Sequence, residues 1–199
     1  MTLLATAGAG AEAEARARPK PPPLYVEYAS YGAAFSADML AHPGAGCPKT
    51  MPCIYGGGGG LALRGGFHWP SPWYLGGAYQ VATTDSANLY RLATLQQLRV
   101  EIRYSLDMGF RTVPYATWGL GGVVYGDEWG VETGGGSAFA GGGLEFQLSR
   151  VALLGVGARY QPTVFAGFVD TAGFDRPPGV AHFVALELEL QIRTEVSGR

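Results

Sequence analysis

From about residue 24 onward, large apolar side chains alternate with small or charged ones at a period of two. In 94–108, Leu98, Val100, Ile102, Tyr104 and Leu106 fall on one face and Arg99, Glu101, Arg103, Ser105 and Asp107 on the other. In 181–194, Val184, Leu186, Leu188, Leu190 and Ile192 alternate with Ala185, Glu187, Glu189, Gln191 and Arg193. A helix would spread these charges around its circumference, whereas a strand segregates them, so the pattern predicts strands. The run 54–69 sets Leu61, Leu63, Phe67 and Trp69 against Arg64 and His68. The run 135–148 sets Leu144, Phe146 and Leu148 against Glu145 and Gln147, and 151–164 sets Leu154, Val156, Ala158 and Tyr160 against Arg159 and Gln161. Two runs, 72–83 and 113–125, carry no charge; their apolar faces hold Trp73, Leu75, Tyr79 and Val81, then Ala116, Trp118, Leu120 and Val124. The first run, 24–35, is the weakest and sets Val26 and Tyr28 against Glu27 and Tyr31.

The strand charges are Glu27, Arg64, Arg99, Glu101, Arg103, Asp107, Glu145, Arg159, Glu187, Glu189 and Arg193, and all share the face opposite the bulky apolar one. The two signs nearly balance. The same face is rich in glycine and alanine and almost free of lysine, unlike the outer face of a soluble strand. Glycine lining leaves room in a narrow lumen for charged side chains from neighbouring strands. The expected arrangement therefore puts the charges inside as an ionic network. Leu98, Val100, Ile102, Val184, Leu186, Leu188, Leu190 and Ile192 would then face lipid.

Strand lengths point the same way, since crossing a bilayer at a tilt takes about 9–11 residues. Short connections at 70–72, 109–112 and 149–150 alternate with longer ones at 36–53, 83–93, 126–134 and 165–180. That is the pattern of transmembrane barrels, with turns periplasmic and loops outside. The sequence thus predicts an all-β fold, an eight-stranded antiparallel up-and-down transmembrane β-barrel. Trp69 and Trp73 flank the first short turn, where an aromatic belt belongs, and Tyr125 and Trp129 are candidates for the opposite rim.

Composition narrows the alternatives. The 32 glycines and 15% charged residues set the chain apart from ordinary soluble domains, which carry about 25% charge. A 47% apolar content with 12% aromatics argues against disorder, and a net charge of −2 gives no basic face for nucleic acid. A mean hydropathy of +0.08 is what alternation produces. No apolar run of 18 residues is present to form a membrane helix.

Residues 1–15 read as the back half of a secretory signal, with Ala-x-Ala-like small residues at Ala7 to Ala13; a disordered Ala-rich tail is the competing reading. A translation start upstream of Met1 would supply the missing positive region. The Arg16–Pro23 segment is a Pro-rich linker. The domain reading is a signal-like remnant and linker at 1–23, a barrel at 24–195 and a short tail at 196–199. Cys47 and Cys53 lie close enough to form a disulfide in an oxidising compartment. Free thiols or a metal half-site are the alternatives, but a closed zinc site lacks partners, because His42, His68 and His182 are scattered in sequence.

Residues 141–161 (GGGLEFQLSRVALLGVGARYQ) combine glycines, a Leu-Glu-Phe run, a tight turn and an Ala-Arg-Tyr strand end. This segment resembles the hairpins of small bacterial outer-membrane barrels, the OmpA-type transmembrane-domain group, and 182–193 is similar to that group's last strand. The resemblance implies an outer-membrane location, surrounding lipid, and insertion by the barrel assembly machinery. An aromatic last residue often marks the group for that machinery, whereas this chain ends Glu195-Val196-Ser197-Gly198-Arg199.

Catalytic chemistry finds little support. Lipid A deacylases of this shape use a His-x-Ser pairing, but the nearest candidate here is His68-Trp69-Pro70-Ser71, with the wrong spacing and a strand-breaking proline. The Gly56–Gly60 run lacks the Lys-Ser/Thr ending of a phosphate loop. Glu187 and Glu189 are better explained as partners of Arg99, Arg103 and Arg193 than as an acid–base pair. No enzyme activity, catalytic residue, cofactor or metal is expected. The leading expectation is a monomeric structural or surface-interaction protein that meets an extracellular ligand through its loops, around Cys47 and Cys53 and at 165–180. A narrow channel for small or apolar solutes is the alternative, and a soluble periplasmic ligand-binding barrel is the third reading.

Overall fold

The computed structural model describes residues 27–44, 47–106, 108 and 110–196. Eight long strands close into a barrel: β1 (Tyr28–His42), β2 (Gly58–His68), β3 (Trp73–Thr84), β4 (Ala93–Ser105), β5 (Thr112–Asp127), β6 (Thr133–Gln147), β7 (Ala152–Phe165) and β10 (Gly179–Glu195). Between β7 and β10, the two-residue strands β8 (Phe168–Val169) and β9 (Asp175–Arg176) pair as a small separate ladder. Every long strand runs antiparallel to its chain neighbours, and β1 pairs with β10 from Tyr28↔Glu195 to His42↔His182 to close the ring. Closure leaves no free edge, which a sheet in hydrocarbon requires. The long strands run from 11 to 17 residues, enough to cross a bilayer at a tilt.

Side chains sort as the pleat demands. Leu98, Val100, Leu120, Leu186, Leu188 and Leu190 are exposed on the outside, while Arg99, Glu101 and Arg103 are buried within. The interior glycines have a visible use. Tyr74 lies flat against Gly66, where an added Cβ would stand 2.5 Å from its hydroxyl, and Tyr115 lies in the same way against Gly157. The missing side chains are the space these rings fill.

The short connections are tight. Ser71 N–H donates to Trp69 O at 2.7 Å, and Ser149 Oγ accepts from Val151 N–H and Ala152 N–H. At this end Trp73 packs edge-on against Tyr104 and Trp118, with ring centroids 4.9 and 5.8 Å apart, forming an outward aromatic girdle.

Two strands differ from the sequence expectation. β1 continues to His42 rather than stopping near 35, because Ser36 and Asp38 keep the inward parity while Phe35 and Met39 point out. Its facing is also the reverse of that expected: Tyr28 and Ser30 are buried and Tyr31 is exposed. β2 starts at Gly58, and Ile54 and Tyr55 belong instead to the preceding loop. The segment 1–23, Val26 and Asp107 lie outside the described residues, as does all of the 196–199 tail except Val196.

Candidate functional site

The lumen is filled by two chemically different layers. The layer nearer the short turns, reaching past the middle, is ionic. Glu187 gathers three arginines: Arg64 at 2.5 Å, Arg99 at 3.2 Å, and Arg159. Arg64 also meets Glu189 at 2.8 Å, and Arg99 meets Glu101 at 2.6 Å. Toward the short turns, Arg103 bridges Glu189 (3.0 Å) and Glu145 (2.5 Å), and Glu145 passes to Arg193 at 2.7 Å. The Arg103 guanidinium also covers the Tyr115 ring, 4.2 Å from its centroid.

Two members of this layer escape sequence reasoning. Asp38 lies 3.5 Å from Arg159, and Gln80 Oε1 accepts from Arg99 at 2.6 Å and from Arg159 at 2.8 Å. Glu27, by contrast, is not part of the cluster. It precedes β1 with parity opposite to the buried Tyr28 and Ser30, and no ion pair joins it to the described network. Five guanidinium groups (Arg64, Arg99, Arg103, Arg159, Arg193) therefore face five carboxylates (Asp38, Glu101, Glu145, Glu187, Glu189). Each buried ion costs several kcal/mol to dehydrate, so several partners per ion are needed to hold it. Glu187 and Glu189 are aimed at arginines, not at open space.

The layer at the long-loop end is apolar. Ile54 and Tyr55 turn into the mouth and join Leu95, Val123, Tyr125, Phe165 and Phe183 in one buried cluster. Tyr55 stacks on Phe165 with centroids 4.6 Å apart, and the Tyr125 hydroxyl donates to Ile54 O at 2.6 Å. Tyr125 is thus only 1% exposed and is not a rim aromatic; it follows Val123, while Val124 takes the outward parity. Trp129 is exposed in the β5–β6 loop.

Two ties hold this cap. A disulfide joins Cys47 to Cys53. Arg176, fully buried, donates from Nε to Asp170 Oδ2 at 2.9 Å and from Nη1 to Pro52 O at 2.8 Å. Beside them, Tyr90 donates to Glu132. Burial pushes the Tyr55 hydroxyl well above the usual tyrosine range, against the opposing pull of the Arg176 charge. The Tyr90 hydroxyl is raised by burial first and then by its bond to Glu132.

The remaining sequence candidates are dispersed. His68 is buried and bonds through Nδ1 to Trp69 O at 2.8 Å, while Ser71 sits in the turn. His42 and His182, far apart in sequence, are register partners with rings 5.9 Å apart. Tyr160 Oη lies 2.5 Å from His182 Nδ1. No group of three or more metal-ligating side chains forms among the described residues.

A soluble barrel would carry its leucines inside and its ions in water, and here both are reversed. The chain is similar in structure to Neisserial surface protein A, with a TM-score of 0.57 and 12% identity over 84% of this chain and 97% of that one. It is likewise similar to the outer membrane protein OprG from Pseudomonas aeruginosa, with a TM-score of 0.55 and 11% identity over 86% and 97% of the two chains. The fold is that of the small outer-membrane β-barrels. No protein-family model and no curated protein matches the sequence, so the likeness lies in architecture rather than in shared side chains. The third, soluble reading of the sequence does not survive the outward leucines and inward ions.

Proposed function

We propose that this barrel is a sealed, non-enzymatic scaffold in the bacterial outer membrane that works through its loop end, as a structural or surface-interaction protein. One observation carries the reading. Side chains block the lumen at two levels, the ionic network below and the aromatic cluster with Ile54 and Tyr55 above. A side-chain-filled eight-stranded barrel leaves no general diffusion path. What remains available for contact is the loop face. It includes a groove of about 380 Å³ beside β3 and β4, lined by Thr83, Asp85, Asn88 and Arg91 among others. The long loops face outward from the cell, and the short turns with their tryptophan girdle face the periplasm. Outer-membrane lipid surrounds the barrel; the assembly machinery inserts it, and it works as a monomer that meets an extracellular ligand through the groove and the cap.

Planar-bilayer recording of the folded chain tests the seal. Steady conductance in the wild type would overturn it. The apolar lining of the mouth favours one second reading, a narrow route for small apolar solutes that opens when Ile54 and Tyr55 withdraw. Uptake of an apolar dye into barrel-loaded vesicles, above that of empty ones, would favour this reading over the first.

A further inference from the structure

At the short-turn end of the lumen lies a small cavity, with about 10 Å³ open to the centre of a water-sized sphere. Ser30, His68 and Arg103, from β1, β2 and β4, line it together with Tyr74, Glu145 and Arg193. All three of the first group are more than nine-tenths buried. Each also has one polar atom with no hydrogen-bond partner: Ser30 Oγ, His68 Nε2 and Arg103 Nε. A buried polar atom left unsatisfied costs about 1–3 kcal/mol, and here the three residues that carry such atoms line one space.

The chemistry of the three atoms is fixed. His68 Nδ1 faces the carbonyl oxygen of Trp69 at 2.8 Å, so that nitrogen carries the proton, and in the neutral ring Nε2 is an acceptor. Arg103 Nε–H is a donor only, and Ser30 Oγ can do either. A cation would meet Arg103 and Arg193. An anion would meet the His68 lone pair and the Glu145 carboxylate. A space of roughly 10–15 Å³ by this measure holds one water.

We propose that this cavity is a binding site for one structural water molecule, which accepts from Arg103 Nε–H, donates to His68 Nε2 and exchanges a bond with Ser30 Oγ. The water completes the inner end of the ionic network, and it links β1, β2 and β4.

The test is solution NMR of the full chain folded in detergent micelles with ¹⁵N-labelled histidine. The expected result is a His68 ring protonated on Nδ1, with a rotating-frame cross-peak from its carbon-bound protons to a long-lived water; His68→Phe assigns the signal. Tyr28→Phe, which removes the hydroxyl of the neighbouring ring (centroid 6.3 Å away), should leave the cross-peak in place. Ser30→Val, which fills the cavity, should abolish it while heat-modifiable gel migration persists. A ring protonated on Nε2, no water contact in the folded wild type, or a cross-peak indifferent to Ser30→Val would each overturn the site. Should Ser30→Val fail to fold, the wild-type tautomer and cross-peak decide alone.

Discussion

The guanidinium of Arg176 donates to the backbone carbonyl of Pro52 across 2.8 Å, tying β9 to the loop before β2 over the mouth of the barrel. The two residues are 124 positions apart in sequence, and the tie fixes Ile54 and Tyr55 just beyond Pro52 in their inserted position.

Replacing Arg176 with Leu leaves Asp170 buried without its partner, a change that costs about 3–5 kcal/mol at such sites. The loss should fall on the cap, with faster amide hydrogen exchange at 53–55 and unchanged protection in the strands below. Bilayer recordings of the same variant should stay silent, because the ionic layer still fills the barrel. Unaltered exchange at 53–55 would remove Arg176 from its role.

Leu188 lies near the middle of β10 and is 48% exposed on the outer face. Leu188→Arg should lower folding stability in phospholipid vesicles by about 2–4 kcal/mol, the usual cost of arginine at the bilayer midplane. Urea titration of vesicle-bound protein measures it. An insertion yield and midpoint equal to the wild type would mean that this face does not meet lipid.

Glu145 sits between Arg103 and Arg193. Glu145→Ala leaves Arg193 without its carboxylate and Arg103 with Glu189 alone, and should cost about 3–5 kcal/mol, whereas adding Arg193→Ala should recover part of that loss. A double-mutant cycle on unfolding free energies reads the coupling, and strictly additive effects would show that the pair does not interact.

Alkaline pH should loosen the cap. Tyr55 and Tyr90 have their hydroxyls raised above the ordinary value of 10.0, so between the unfolded and folded values the open state has already lost protons that the closed state retains. The contribution is complete below about pH 10 and is lost as pH rises through the folded values. Tyrosinate absorbance should titrate late in the wild type, and Tyr90→Phe should reduce the alkaline loss of cap protection. Stability rising above pH 10 would contradict the assignment.

Most of the barrel is legible in the alternation, because a side chain's parity decides between lipid and lumen. Arg99 and Leu98 could hardly exchange faces. The signal fades where residues are small. In β1, Ser36, Ala37 and Asp38 read as loop, yet Asp38 enters the ionic layer. Gln80, uncharged, shows no electrostatic pattern in sequence, although two arginines converge on it. Tyr125, read as a rim aromatic, instead takes the inward parity opposite Val124 and is buried. The cap was out of reach, since Ile54 against Phe165, or Arg176 against Pro52, depends on how distant loops meet after the ring has formed.

The pairing of β1 with β10, from Tyr28↔Glu195 onward, has a consequence for biogenesis. A chain truncated before residue 179 would present two bare strand borders, on β1 and β7, each a row of unsatisfied amides facing oil. Only a chain that already carries β10 can complete the circle, so the first and last strands of the ring must both be present before any of it is sealed against hydrocarbon.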